Sequence, residues 1–197
     1  MNYDTLPEGF QCVRTVDLKD KKLAQKLNLL ALPVFLGLVV PMIFLVPPNL
    51  AALPETISGL FRYWLLLLFW LVALIALTIL HELIHAFAMR LVAKAKPGFG
   101  FTGLVAYCNC ETKYICKRHY YVIALAPLVS ITILLGVACF LLPPAWFWFS
   151  YGALAAHAAS AMGDVWICTL FARLPPDILM IDRGAKMDVY SKRGPAD

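Results

Sequence analysis

The sequence predicts an all-α membrane bundle of four transmembrane helices, with a small cytoplasmic β-hairpin between the second and third helices. Of the 197 residues, 61% are hydrophobic and only 15% are charged, whereas soluble domains have about 45–50% apolar and about 25% charged residues. The mean hydropathy is +0.76. This composition excludes a soluble globular fold and an intrinsically disordered chain. The apolar excess is therefore expected to face lipid.

Four segments are long and apolar enough to cross a bilayer, since an apolar helix needs about 20 residues to span the hydrocarbon. The predicted spans are residues 27–46, 61–89, 120–142 and 146–170. They divide the chain into an N-terminal segment (1–26), a four-helix core (27–172) and a tail (173–197). The first segment is polar and no signal-peptidase site follows the first span, so we expect that this span is retained.

Basic residues predict the orientation, because cytoplasmic loops carry an excess of Lys and Arg. Of the 17 Lys and Arg residues, only Arg62 falls beside the two short connections that would lie outside. Phe61, Trp64 and Trp146 would mark the outer interface. We expect a multi-pass protein of the cell membrane, in contact with lipid and with both termini cytoplasmic. The same rule explains the net charge of +5, so no nucleic-acid partner is expected.

The second span contains the sequence His81-Glu82-Leu83-Ile84-His85. An ionisable residue at the centre of a transmembrane helix costs about 2.5–3.5 kcal/mol, so such residues are expected to be functional. Residues four apart lie on one helix face, so the two imidazoles can bind one metal ion, while Glu82 points about 100° around the helix. This pattern predicts a zinc site with Glu82 as its catalytic base. The alternative is a set of polar residues packed in the bundle.

A catalytic zinc site usually has three protein ligands and one open position, and Asp164 in the fourth span is the predicted third ligand. Counted from Arg62 and Ala145, His81 and Asp164 lie equally deep, about 28 Å from the outer face at about 1.5 Å per residue. Small residues in the stretch 152–163 would let the helices approach closely. A solvated Asp at a helix end is the alternative.

Two further groups contain His or Cys, which are residue types that often bind metals. His157 lies two turns before Asp164 on nearly the same face, so it is an alternative ligand, a partner of a ligand, or a packed polar residue. The loop between the second and third spans carries Cys108, Cys110, Cys116 and His119. Their spacing differs from that of zinc fingers, and a structural metal there stays an open alternative. A reducing cytoplasm disfavours disulfides.

The predicted hairpin lies in the same loop. Residues 99–107 alternate with period two and are followed by a second short run, 113–116, which predicts two strands on the cytoplasmic side. An unpaired edge could bind an extended peptide by strand addition, or the hairpin could simply cap the bundle. In the tail, Pro175-Pro176-Asp177 and Asp182-Arg183-Gly184 predict turns that could fold back towards the mouth of the site.

Three motifs together resemble a known family. They are His81-Glu82-Leu83-Ile84-His85, Ala126-Pro127 in the next span, and Ser160-Ala-Met-Gly-Asp164 in the last. Over about residues 60–185 the chain resembles the small membrane proteins classed as putative zincin peptidases and, more distantly, site-2-type intramembrane metalloproteases. The resemblance implies a zinc peptidase whose third ligand is Asp164. The site-2 pattern has an Asp-Gly pair preceded by Asn and Pro, whereas this chain has Gly163-Asp164, so the groups that orient substrate are not carried over.

The resulting expectation is an integral-membrane endopeptidase that uses Zn²⁺ held by His81, His85 and Asp164. It would hydrolyse peptide bonds of peptide or membrane-protein substrates near the cytoplasmic face, with Glu82 moving the proton. The alternative is a non-hydrolytic membrane protein, either an inactive protease relative that acts as a partner-binding scaffold or a metal carrier. A carrier would need polar groups along its whole depth, whereas here they cluster near the inner face.

Overall fold

The structure, a computed structural model, describes residues 2–17, 20–48, 57–101, 106–184 and 186–192. A π-helical turn spans Met89–Ala93, and a 3₁₀ turn spans Pro144–Trp146. The elements in chain order are β1 (Gln11–Asp17), α1 (Lys21–Leu45), α2 (Ile57–Ala88), β2 (Gly98–Phe101), β3 (Ala106–Cys116), α3 (Lys117–Leu141), α4 (Phe147–Ser160), α5 (Met162–Ala172), β4 (Leu179–Asp182) and β5 (Lys186–Ser191).

Within the described ranges, four helical segments are long and apolar enough to cross a membrane. They are Lys21–Leu45, Gly59–Ala93, Lys117–Leu141 and Pro144–Ala172. Each overlaps one of the four predicted spans. The most apolar windows of the first two are not buried within the protein at all, and such large exposed apolar surfaces are rare in soluble proteins. The helices are therefore compatible with a multi-pass membrane protein.

The helix ends differ from the predicted spans by a few residues, for local reasons. The first helix begins earlier because Asp20 caps it, its carboxylate accepting a hydrogen bond of 2.9 Å from the Lys22 backbone N–H. The second ends after the π-helical turn at Lys94, whose φ of 50° is left-handed. The fourth span is interrupted, because Ala161 separates α4 from α5. Hydropathy alone reports none of these backbone features.

A five-stranded sheet of order β1-β5-β4-β3-β2 takes the place of the small hairpin. All four pairings are antiparallel. In the β2–β3 pair, Gly98 lies opposite Asn109 and Phe101 opposite Ala106; residues 102–105 of the predicted hairpin lie outside the described residues. The N-terminal segment supplies β1 and the tail supplies β4 and β5. The sequence prediction missed these three strands because the pairings that attach them, β1 with β5 and β4 with β3, join distant parts of the chain.

The buried core lies where the sheet meets the ends of the helices, rather than along the bundle. Tyr120 of α3 packs its ring against Phe171 of α5, with 5.2 Å between the ring centroids. Met89, Met180 and Val189 belong to the same buried cluster. Along the bundle the helices also pack on one another, as α4 does against α1, α2 and α3. The junction of sheet and helices is thus the part of the protein with a globular core.

We expect Phe171→Ala to destabilise the protein by about 3–5 kcal/mol, because it removes a large side chain from a closed core. Phe171 is 0% exposed. Thermal unfolding in detergent measures the effect. The matched control is Phe140→Ala, at a residue that is 89% exposed on α3, and it should change the midpoint little. Equal effects of the two substitutions would contradict this location of the core.

Candidate metal centre

His81 and His85 lie one helical turn apart on α2, and the Nε2 atoms of their two rings face each other. Their Nε2 atoms are 3.0 Å apart, and the rings meet edge to face with 4.7 Å between centroids. The four-residue spacing produces this arrangement, since residues i and i+4 share a helix face. Both side chains are largely buried. Two potential ligand atoms therefore face one point in space.

Asp164 completes the group from the first turn of α5. Its Oδ2 lies 3.2 Å from Nε2 of His81, and its Oδ1 lies 3.6 Å from Nε2 of His85. The interruption at Ala161 sets its position, because the Asp164 N–H bonds to the Ala161 carbonyl at 3.1 Å to start the new helix. The structure thus brings together the three residues that the sequence predicts as ligands.

The spacing of these atoms fits a zinc ion. All three ligand atoms lie within 4.8 Å of one another. Tetrahedral zinc with bonds of about 2.0–2.1 Å requires its ligand atoms to lie about 3.3 Å apart, and the distances here are 3.0, 3.2 and 3.6 Å. Two imidazoles and one carboxylate are also a ligand set of catalytic zinc sites. No other group of this kind occurs among the residues that the structure describes.

Each imidazole has a different partner on its other nitrogen. Nδ1 of His85 lies 2.9 Å from the carbonyl oxygen of Ile123 on α3. Nδ1 of His81 lies 3.1 Å from Nε2 of His157 on α4. Of the three roles left open for His157, the geometry therefore favours that of a partner of a ligand. It is 5% exposed.

The three residues line a cavity of about 230 Å³ that also contains Glu82. The Cys108 backbone on β3 hydrogen-bonds to the Glu82 carboxylate, which ties the side chain to the sheet. Asp182, Gly184 and Met187 of the tail form part of the wall. The tail thus folds back to the site, and the sheet covers one side of the cavity.

Asp182 is the residue of this cavity that the sequence prediction did not treat as functional. Its Oδ1 accepts a hydrogen bond of 2.8 Å from the Gly184 N–H, in a turn where Gly184 has φ of +77°. Burial, together with the nearby carboxylates of Glu82 and Asp164, raises the pKa of Asp182 to about 7. The Asp-x-Gly pattern indicates a turn, but nothing local in it indicates that the turn faces a cavity.

The cysteine-rich group in the loop does not assemble in the same way. Nδ1 of His119 lies 3.1 Å from the side-chain oxygen of Asn2, and the Cys110 sulfur lies 4.0 Å from the Lys113 carbonyl. Burial, followed by the charge of Glu82, raises the pKa of the Cys108 thiol to about 12. Neutral thiols are poor zinc ligands. All six cysteines are free.

Comparison with known proteins gives one match. A family model described as "Putative zincin peptidase" matches residues 74–179, which is more than half of the chain. The matched stretch runs from the middle of α2 to the first residue of β4 and includes Glu82 and the three clustered residues. Asp182 lies just beyond it. No curated protein and no solved structure matches the chain.

We expect Asp164→Ala to weaken zinc binding by about 100-fold or more, because losing a ligand costs at least as much as losing a ligand's partner, which costs about 10–100-fold. Zinc content after equilibration with a graded chelator series measures this. Asp4→Ala is the control, since Asp4 is an exposed carboxylate 3.5 Å from Lys113. Unchanged zinc binding in Asp164→Ala would contradict the assignment.

The raised pKa of Asp182 predicts a pH dependence of stability in the metal-free protein. The folded state binds this proton more tightly than the unfolded state, whose carboxyl has a pKa of about 3.9. The stabilisation is thus complete below about pH 4 and is lost as the pH rises through about 7. We expect Asp182→Asn to flatten the fall of the thermal midpoint between pH 5 and pH 8. An unchanged slope would be inconsistent with the raised pKa.

Proposed function

The chain belongs to the family described as "Putative zincin peptidase", and we propose that it is an integral-membrane, zinc-dependent endopeptidase acting near the cytoplasmic face. One observation carries the proposal. His81, His85 and Asp164 converge within 4.8 Å beside Glu82, in helices that are otherwise apolar. Placing ionisable residues in such helices costs free energy, so their occurrence together indicates a functional site.

The chemistry of the proposed reaction divides between the ion and Glu82. Zinc held by the three residues would polarise a peptide carbonyl and lower the pKa of a water molecule towards neutrality. The Glu82 carboxylate takes the proton that this water releases as its oxygen adds to the carbonyl carbon, and it returns that proton to the amine nitrogen as the C–N bond breaks. The hydrogen bond from the Cys108 backbone orients the carboxylate for both transfers.

The membrane setting follows from two independent features. The four helices are long and apolar enough to cross a bilayer, and Lys and Arg are concentrated in the N-terminal segment, in the loop between α2 and α3, and in the tail. Strands from these same three segments form one sheet, so all three lie at one end of the bundle. By the excess of Lys and Arg, that end faces the cytoplasm. The site beneath the sheet is then close to the cytoplasmic surface.

We propose that substrates are peptides or membrane proteins that bind in extended form along β2. Among the described strands, this one is at the end of the sheet order and pairs with β3 alone, so its outer edge can accept another strand. Phe99 and Gly100 of β2 line a small cavity of about 130 Å³ together with Glu82. A strand added there would pass close to the catalytic carboxylate. In this arrangement the sheet is a binding element as well as a cover.

We expect Glu82→Gln to retain zinc at the wild-type level while lowering peptide cleavage by about 10²–10⁴-fold, because the substitution removes the base but none of the ligands. Comparing cleaved fragments in membrane proteomes of cells that express either form measures the loss, and metal analysis of both proteins measures zinc. Glu111→Gln, at an exposed carboxylate of β3, is the matched control. Full activity in Glu82→Gln would remove the assigned base. A protein that binds zinc but cleaves nothing would instead be a non-hydrolytic relative.

A further inference from the structure

We propose that His157 is a positioning residue, which accepts a hydrogen bond from His81 and thereby holds His81 in the form that can bind the metal. The inference rests on the proposed zinc site and concerns a residue outside the set of ligands. It starts from the two ring nitrogens of His81, which have different neighbours. Nε2 lies 3.2 Å from Asp164 and 3.0 Å from His85, whereas Nδ1 lies 3.1 Å from Nε2 of His157.

A neutral imidazole carries one proton, and only the nitrogen without it can bind a metal. Since Nε2 of His81 faces the site, the ligand form of His81 carries its proton on Nδ1. That N–H points at Nε2 of His157, which must then accept the hydrogen bond. The proton of His157 consequently lies on its own Nδ1. One arrangement of protons over the two rings is therefore required for His81 to be a ligand.

His85 is held differently. Its Nδ1 faces the carbonyl oxygen of Ile123 at 2.9 Å, and a carbonyl can only accept. The proton of His85 is thus fixed on Nδ1, and its Nε2 is free to bind. Nε2 of His157 can either donate or accept. If it donated, Nδ1 of His81 would accept, the His81 proton would move to Nε2, and that nitrogen could not be a ligand.

The surroundings of His157 make metal binding by His81 depend more strongly on this arrangement of protons. The residue is 5% exposed, and its Nδ1 is buried without a hydrogen-bond partner among the described residues. The proton arrangement that permits metal binding therefore places an N–H at an unpaired buried position, which is unfavourable. Binding of the ion must outweigh this cost.

Three substitutions separate this role from packing. His157→Phe keeps the ring and removes the acceptor. His157→Gln places an amide oxygen about as far from the backbone as Nε2 was, so it restores the acceptor. His157→Asn places its oxygen at the position of Nδ1 and does not. His119→Phe is the control, because His119 bonds to Asn2 outside the site.

Zinc dissociation constants come from chelator competition with Zn²⁺ alone, on proteins whose folding is checked by thermal unfolding. We expect about 10–100-fold weaker binding in His157→Phe and His157→Asn, and binding within about threefold of wild type in His157→Gln. Wild-type affinity in a folded His157→Phe protein would overturn the proposal. Equal losses in the Phe and Gln variants would also overturn it, since restoring the acceptor would then not restore zinc binding.

A direct measurement complements the variants. The chain has 4 histidines, so ¹⁵N-histidine labelling resolves each ring in the zinc-loaded wild-type protein. We expect the His157 proton on Nδ1 and the His81 proton on Nδ1. A His157 proton on Nε2 in the zinc-loaded protein would overturn the proposal while leaving the zinc site intact. A wild-type protein that binds no zinc would overturn the zinc site and, with it, the role of His157.

Discussion

Ionisable side chains inside apolar helices must satisfy one another, because the lipid around those helices offers no hydrogen bonds. Here the requirement produces one connected polar network. Asp164 of α5 contacts His81 and His85 of α2. From there the contacts continue to the Ile123 carbonyl of α3 and to His157 of α4. The network thus joins four of the five α-helices at one level of the bundle, and it does so at the proposed metal centre.

The sequence was sufficient for the features that depend on local pattern. Hydropathy located the long helices, and the four-residue spacing put His81 and His85 on one face. Comparing depths along two helices then predicted that Asp164 would lie beside them, and its carboxylate does contact both rings. The remaining features depend on distant contacts. The strand β4 has four residues and no period long enough to recognise, and its partner β3 lies more than 60 residues earlier in the chain. The direction of the Asp182 turn follows from that pairing.

The sheet also contributes negative charge to the cavity, through Asp182 of β4. Glu82, Asp164 and Asp182 all line it, and no Lys or Arg is among the described lining residues. A divalent cation offsets two of these three negative charges. Without an ion, burial and then the carboxylates of Glu82 and Asp164 raise the pKa of Asp182. Asp182 thus adds to the negative charge around the centre, although it lies beyond residues 74–179, which the family model matches.

The position of β4 and β5 also sets the order in which the centre can be completed during translation. Both strands follow all four long helices in the chain, so the ribosome makes Asp182, Gly184 and Met187 last among the described residues of the cavity. Until then β3 lacks its neighbour β4, and the cavity is open on that side. A nascent chain that already carries His81, His85 and Asp164 therefore still lacks part of the wall of the cavity around them.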